Sequence, residues 1–101
     1  MKKYPNQEIY ERDNFTCQYC GWSGVEDFEK WNRGWLAIDH IKPRTHGGGD
    51  NHDNLVVACH TCNSVKAATD CNSIEEGKEI IRLKNIERKK WFNKHVLKKI
   101  T

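Results

Sequence analysis

Cys17-Gln18-Tyr19-Cys20 and Cys59-His60-Thr61-Cys62 are two cysteine pairs of identical internal spacing, separated by the 38 residues from 21 to 58. Each pair can form a hairpin-like knuckle that offers two thiolates to one ion. The second knuckle returns from a distant part of the chain, as a tetrahedral four-cysteine zinc site requires. Disulfides are the competing use of the same residues. The chain opens on Met1-Lys2-Lys3-Tyr4-Pro5 with no apolar secretory segment, so the expected compartment is cytoplasmic and reducing, which favours zinc. A thioredoxin-like redox centre would account for only one pair and needs a βαβ pattern that the flanking sequence lacks. The fifth cysteine, Cys71, lies outside both pairs and reads as a plain small residue.

Working outward, Leu36-Ala37-Ile38-Asp39-His40-Ile41 alternates as a strand, with Leu36, Ile38 and His40 on one face and Ala37, Asp39 and Ile41 on the other. Lys42-Pro43 ends it. Gly47-Gly48-Gly49-Asp50-Asn51 is a turn or mobile loop, and Asn54-Leu55-Val56-Val57-Ala58 is a second short strand leading into the second knuckle. Residues 63–68 have helix-compatible composition, stopped by Thr69-Asp70. Upstream, residues 5–12 suit a short helix. Residues 22–34 read as an irregular connection, with Trp22, Phe28, Trp31 and Trp35 expected to pack as core over the metal site. Ser73 and Glu76 have capping-box spacing and open a last helix whose apolar members are Ile74, Ile80, Ile81, Leu83, Ile86, Trp91, Leu97 and Ile100. Lys84, Arg88, Lys89, Lys90, Lys94, Lys98 and Lys99 fill its other faces, so its final turns are expected to fray or to order on a partner.

The 101 residues, 37% hydrophobic and 31% charged, suit one compact domain, and the longest apolar run, Leu55 to Cys59, is far short of a membrane span. The expected division is residues 1–72 around the zinc site and residues 73–101 as a basic C-terminal helix of the same domain. Charge is split along that line. Residues 1–77 hold 8 Lys/Arg against 12 Asp/Glu, a balance of −4, whereas residues 78–101 hold 9 against 2, a balance of +7. An acidic body beside a cationic arm suits a polyanion partner; a merely solvated basic helix face is the bland alternative.

The succession Arg12-Asp-Asn-Phe-Thr-Cys17-Gln-Tyr-Cys20-Gly21, Ile38-Asp39-His40-Ile41-Lys42-Pro43, Gly47-Gly48, Asn54-Leu55, Cys59-His-Thr-Cys62-Asn63 and Lys66 resembles an HNH endonuclease of the zinc-stapled type. It is similar to small phage and bacterial HNH nucleases and to the HNH module of RNA-guided CRISPR effectors. The resemblance spans residues 12–66. It implies a small α+β, treble-clef-like ββα-metal fold in which a hairpin and one helix hold a single divalent cation. Asp39 and His40 match the Asp-His of the first strand, Asn54 the middle Asn, and Asn63 the third position, where many members have His. This chain is thus an HNN variant. A further His one turn beyond the third position ligates the metal in the other family pattern; here it is Ala67, so Asp39 and Asn63 are the implied protein ligands. A phage origin would imply work beside DNA-packaging machinery or another targeting protein.

Phosphodiester hydrolysis needs an activated water, charge relief at the phosphate and stabilisation of the departing 3′ oxygen. A neutral imidazole suits the first task and assigns His40 as general base. Oxygen ligands from Asp39 and Asn63, with the rest of the shell left to water and phosphate, suit Mg²⁺ or Mn²⁺. Asn54 is expected to brace the loop that aims His40. Lys66, Arg44, Arg88, Lys89 and Lys90 are the candidate DNA contacts, with Arg12 and Lys42 weaker ones; His46, His52 and His60 are surplus. The alternative class is a zinc-binding module that recognises nucleic acid or protein through the basic tail and cuts nothing.

Overall fold

A computed structural model describes residues 5–97. Met1-Lys2-Lys3, Lys98, Lys99 and Ile100 lie outside the described residues. Strands β1 (Ala37–His40) and β2 (Leu55–Ala58) pair antiparallel, with Asp39 opposite Val56 and His40 opposite Leu55. All four β2 residues are buried, because both faces of the hairpin are covered. Leu55 and Val57 pack with Ile9 of helix α1 (Gln7–Arg12), joined by Tyr10, Leu36 and Ile38. Burying Ile9, Leu55 and Val57 stabilises by about 1.5–3 kcal/mol each, which fixes a six-residue helix that would not persist alone. On the other face Val56 and Ala58 join Tyr19, Ile41, Ile81 and the buried cysteines.

The outer edge of β2 is closed by the chain around α1. Val57 N donates to Asp13 Oδ2 (2.9 Å), Gln18 N donates to Val57 O (2.9 Å) and Arg12 Nη2 donates to Leu55 O (2.6 Å). The backbone groups that an open edge would present are thereby satisfied.

Helix α2 (Phe28–Gly34) corrects the expectation of an irregular connection over residues 22–34. Asp27 caps it, its carboxylate accepting from Lys30 N at 2.8 Å. Trp22, Phe28, Trp31 and Trp35 are exposed, Phe28 by 68% and Trp35 by 71%, and so do not form the expected lid over the cysteines. Cys17, Cys59 and Cys62 are already buried with Tyr19, Val56, Ala58 and Ile81, while Cys20 is exposed, and these aromatics take no part in that cluster. Phe28 stacks on Trp31, and Trp22 Nε1 donates to Lys30 O at 2.9 Å.

Helix α3 (His60–Lys66) begins three residues before the expected start, because Cys59 is its N-cap, with Sγ accepting from Cys62 N at 3.4 Å. The second knuckle is therefore the first turn of the helix. It ends at Lys66, short of Ala68, as Ala67 turns to φ 51°. Helix α4 (Ile74–Phe92) starts at Ser73, whose Oγ accepts from Glu76 N at 3.1 Å, while the Glu76 carboxylate accepts from Asn72 N at 2.6 Å. Gly77 lies against the Tyr19 ring; a Cβ there would stand 2.5 Å from its edge. Lys84 Nζ ties α4 to the end of α3 through Lys66 O (3.2 Å) and Thr69 Oγ1 (2.6 Å). Beyond that tie, Ile86, Trp91, Phe92 and Leu97 are exposed, and the helix closes in a π-helical turn, Asn93–Leu97. No described helix is long and apolar enough to cross a membrane.

Candidate active site and metal centre

The Sγ atoms of Cys17, Cys20, Cys59 and Cys62 lie within 4.8 Å of one another, with Cys20 and Cys59 at 3.7 Å. Four sulfurs about 2.3 Å from one tetrahedral zinc would stand about 3.8 Å apart. The cluster therefore fits one metal ion of zinc type, and all four thiols are free of disulfides. Burial, reinforced by the charge of neighbouring cysteines, pushes the Cys20 thiol up to about 11 and Cys62 higher still. A divalent cation held by the four sulfurs would offset that penalty and favour their thiolate forms. Cys71 stands apart, its Sγ donating to Ser73 O at 3.1 Å, and His60 is exposed.

Tyr19, between the first two cysteines, reaches out of the knuckle. Its hydroxyl donates to Asp39 Oδ2 at 2.7 Å, and burial together with that carboxylate pushes its pKa well up, so it stays a donor. The same Asp39 oxygen meets Lys66 Nζ at 3.2 Å. Lys66 is wholly buried and also donates to His40 O at 3.0 Å. This corrects the expectation that Lys66 is a surface phosphate contact. It shares the inner face of α3 with Cys62, one turn earlier, and that face is turned into the body. With Oδ2 engaged twice, Oδ1 is the Asp39 oxygen left for a ligand.

His40 ends β1, on the opposite face of the strand from Asp39, and its Nε2 lies 2.7 Å from Asp50 Oδ1. Arg44 Nη2 donates to the same oxygen at 2.9 Å. The His40 hydrogen bond, then Arg44, hold the Asp50 carboxyl below its usual range. Asn54 clamps the loop between the strands. Its Oδ1 accepts from Lys42 N (2.9 Å), and its Nδ2 donates to Lys42 O (3.1 Å) and Gly49 O (2.8 Å). Gly48 closes the same turn so tightly that a Cβ would fall 1.7 Å from Lys42 O.

Asp39, His40, Arg44 and Asn63 line one open cavity of about 350 Å³, with Ile38, Pro43, Ala67 and Ala68 as its apolar wall. Asp39 and Asn63, both on its lining, carry oxygen donors of the kind a Mg²⁺-class ion takes. A hollow of about 400 Å³ beside Tyr10, Phe15, Trp31 and Leu36 is more enclosed but carries no carboxylate or imidazole.

Other candidates stand outside that cavity. Arg12 uses its guanidinium on Asp13, His52 O and Leu55 O, and Lys42 is tied to Asp70 at 3.0 Å. His46 and His52 are exposed on the loop. Arg88, Lys89 and Lys90 are exposed on α4, Arg88 flanking a groove with Ser64, Val65 and Lys84. Tyr19 and Asp50 escaped sequence reasoning. The signal for Tyr19 was a hydroxyl between paired cysteines, and for Asp50 a carboxylate in a glycine loop following the Asp-His strand.

No curated protein and no solved structure gives a significant match to the chain. The family model for HNH endonuclease matches residues 17–69, from the first cysteine of the cluster past the last residue lining the cavity. A small α+β structure, its hairpin and helix joined by four clustered cysteines, accompanies that match, and the chain belongs to the HNH endonuclease family.

Proposed function

We propose that this chain is a DNA endonuclease that hydrolyses phosphodiester bonds with a single divalent cation, Mg²⁺ or Mn²⁺. The observation that carries the reading is the meeting of a carboxylate, an imidazole and an amide, from Asp39, His40 and Asn63, on one open cavity. Asp39 Oδ1 and the Asn63 amide oxygen would hold the ion. When bound, such an ion supplies charge relief at the phosphate and at the departing 3′ oxygen. His40 accepts the proton of the attacking water as its oxygen bonds to phosphorus and the bond to the 3′ oxygen breaks. Asn54 keeps the loop opposite His40 in place, and Arg44, on the cavity wall, is the cation that meets the phosphate. Arg88, Lys89 and Lys90 add backbone contacts from α4, which carry no base information, so weak sequence preference is expected.

The test is supercoiled plasmid with and without Mg²⁺ or Mn²⁺. The parent protein should relax or linearise it only with metal, and His40→Ala should lose about 10²- to 10⁴-fold in rate while still retarding DNA on a gel. Parental turnover in His40→Ala would place the base elsewhere. Plasmid that is bound yet stays intact with either metal would make the chain a binding module.

A further inference from the structure

We infer that Asp50 is a positioning residue for His40: its carboxylate holds the ring by Nε2–H, so that Nδ1 is the nitrogen left to take the proton from water. The inference rests on His40 being the base. A neutral imidazole carries one N–H, and whichever nitrogen donates it leaves the other as the acceptor. Here Nε2 stands 2.7 Å from Asp50 Oδ1, and an ionised carboxylate only accepts, so the proton belongs on Nε2. No hydrogen-bond partner for Nδ1 occurs among the described residues.

His40 and Asp50 also differ in their place relative to the cavity. His40 lines the cavity together with Asp39 and Asn63, whereas Asp50 does not. Asp50 thus stands outside the cavity lining, held to it through Arg44. The carboxylate is itself anchored. Arg44 holds its Oδ1 through Nη2 (2.9 Å) and Nε (3.3 Å), and the preceding residue's carbonyl, Gly49 O, accepts from Asn54 Nδ2 at 2.8 Å. The glycine loop, read from sequence as a turn or mobile loop, ends in an acceptor that Arg44 holds. Its side chain is 66% exposed, so Asp50 acts through one short directional bond and not through burial.

A competing account has the Asp50 carboxylate standing between His40 and Arg44 where a phosphate oxygen of the substrate would sit. The two accounts predict opposite kinetics. If Asp50 positions the ring, Asp50→Ala lowers kcat about 10- to 100-fold with KM and zinc content unchanged, and Asp50→Glu recovers part of the loss. If it occupies the phosphate's place, Asp50→Ala lowers KM and leaves kcat at or above the parental value, which overturns the inference. A second measurement is independent of cleavage. In the ¹⁵N-labelled, zinc-loaded chain above the His titration range, long-range ¹H–¹⁵N spectra should show His40 protonated at Nε2 in the parent and as a tautomer mixture in Asp50→Ala. An Nδ1–H tautomer in the parent, or an unchanged spectrum in Asp50→Ala, also overturns it. Failure of the base assignment itself is seen separately, as cleavage that survives His40→Ala.

Discussion

Replacing Lys66 with methionine keeps the aliphatic stem and removes the ammonium, which isolates the cost of stranding its partner. Lys66 is wholly buried, and its Nζ stands 3.2 Å from Asp39 Oδ2 and 3.0 Å from His40 O, while the Asp39 side chain is 8% exposed. Tyr19 remains as one donor to Asp39 at 2.7 Å, so the carboxylate keeps a hydrogen bond but loses its counter-charge. Removing one member of a buried pair costs about 3–5 kcal/mol, because the remaining charge is desolvated without compensation. At about 4–8 °C per kcal/mol for a chain of this size, the midpoint should fall by at least about 12 °C. The assay is thermal and urea unfolding of the zinc-loaded chain by far-UV circular dichroism. The double variant Asp39→Asn/Lys66→Met removes both charges and should recover most of the loss, to within about 1–2 kcal/mol of the parent. Single-variant unfolding within about 1 kcal/mol of the parent, or a double variant that loses the sum of the two singles, would refute the assignment of Lys66 as the buried counter-charge of Asp39.

Elemental analysis should find one zinc per chain, and Cys59→Ser, which breaks the sulfur cluster while leaving a hydroxyl able to cap α3, should lose the ion and most of the cooperative unfolding transition. Replacing Arg88, Lys89 and Lys90 with glutamine should weaken DNA binding and flatten its salt dependence by about 0.9 in slope for each phosphate no longer neutralised, with zinc content unchanged; an identical slope would leave those charges merely solvated. Lys42 holds the Asp70 carboxyl below its ordinary range. With the folded value depressed, the tie contributes at pH above the unfolded value of about 3.9 and is lost as pH falls through the folded value. Carboxyl ¹³C titration should therefore place the Asp70 midpoint below about 3.9, and Lys42→Met should move it up; no movement would mean another group sets it.

The cysteine spacing, the alternation of residues 36–41 and the Ser73–Glu76 cap were legible because each is a local constraint that few other structures satisfy. Each corresponds to an observed element: the sulfur cluster, β1 and the start of α4. Helix α2 was not legible, since seven residues span barely two turns and its aromatic side chains suggested burial that the completed core does not need. Lys66 was misplaced for a related reason. A lysine is ordinarily at the surface, and only the three-dimensional position of Asp39, 27 residues earlier, makes an interior ammonium tolerable. The pairing of Asp50 with His40 depends on how the glycine loop folds back, and the sequence pattern carries no register for such a loop.

Tyr19 behaves as a strut without slack. Its backbone is pinned between Cys17 and Cys20, its ring is backed by Gly77 at the root of α4, and its tip rests on Asp39. The two middle positions of the knuckle are consequently unequal: the Gln18 side-chain amide donates hydrogen bonds to the nearby carbonyls of Asp13 and Thr16, whereas residue 19 reaches a distant carboxylate. Wear at the sulfur cluster is then felt first as misalignment at Asp39. If the proposed cleavage holds, stepwise chelation or thiol oxidation should extinguish it no later than it erodes helix content, and the four cysteines would then gate the site as well as join the fold.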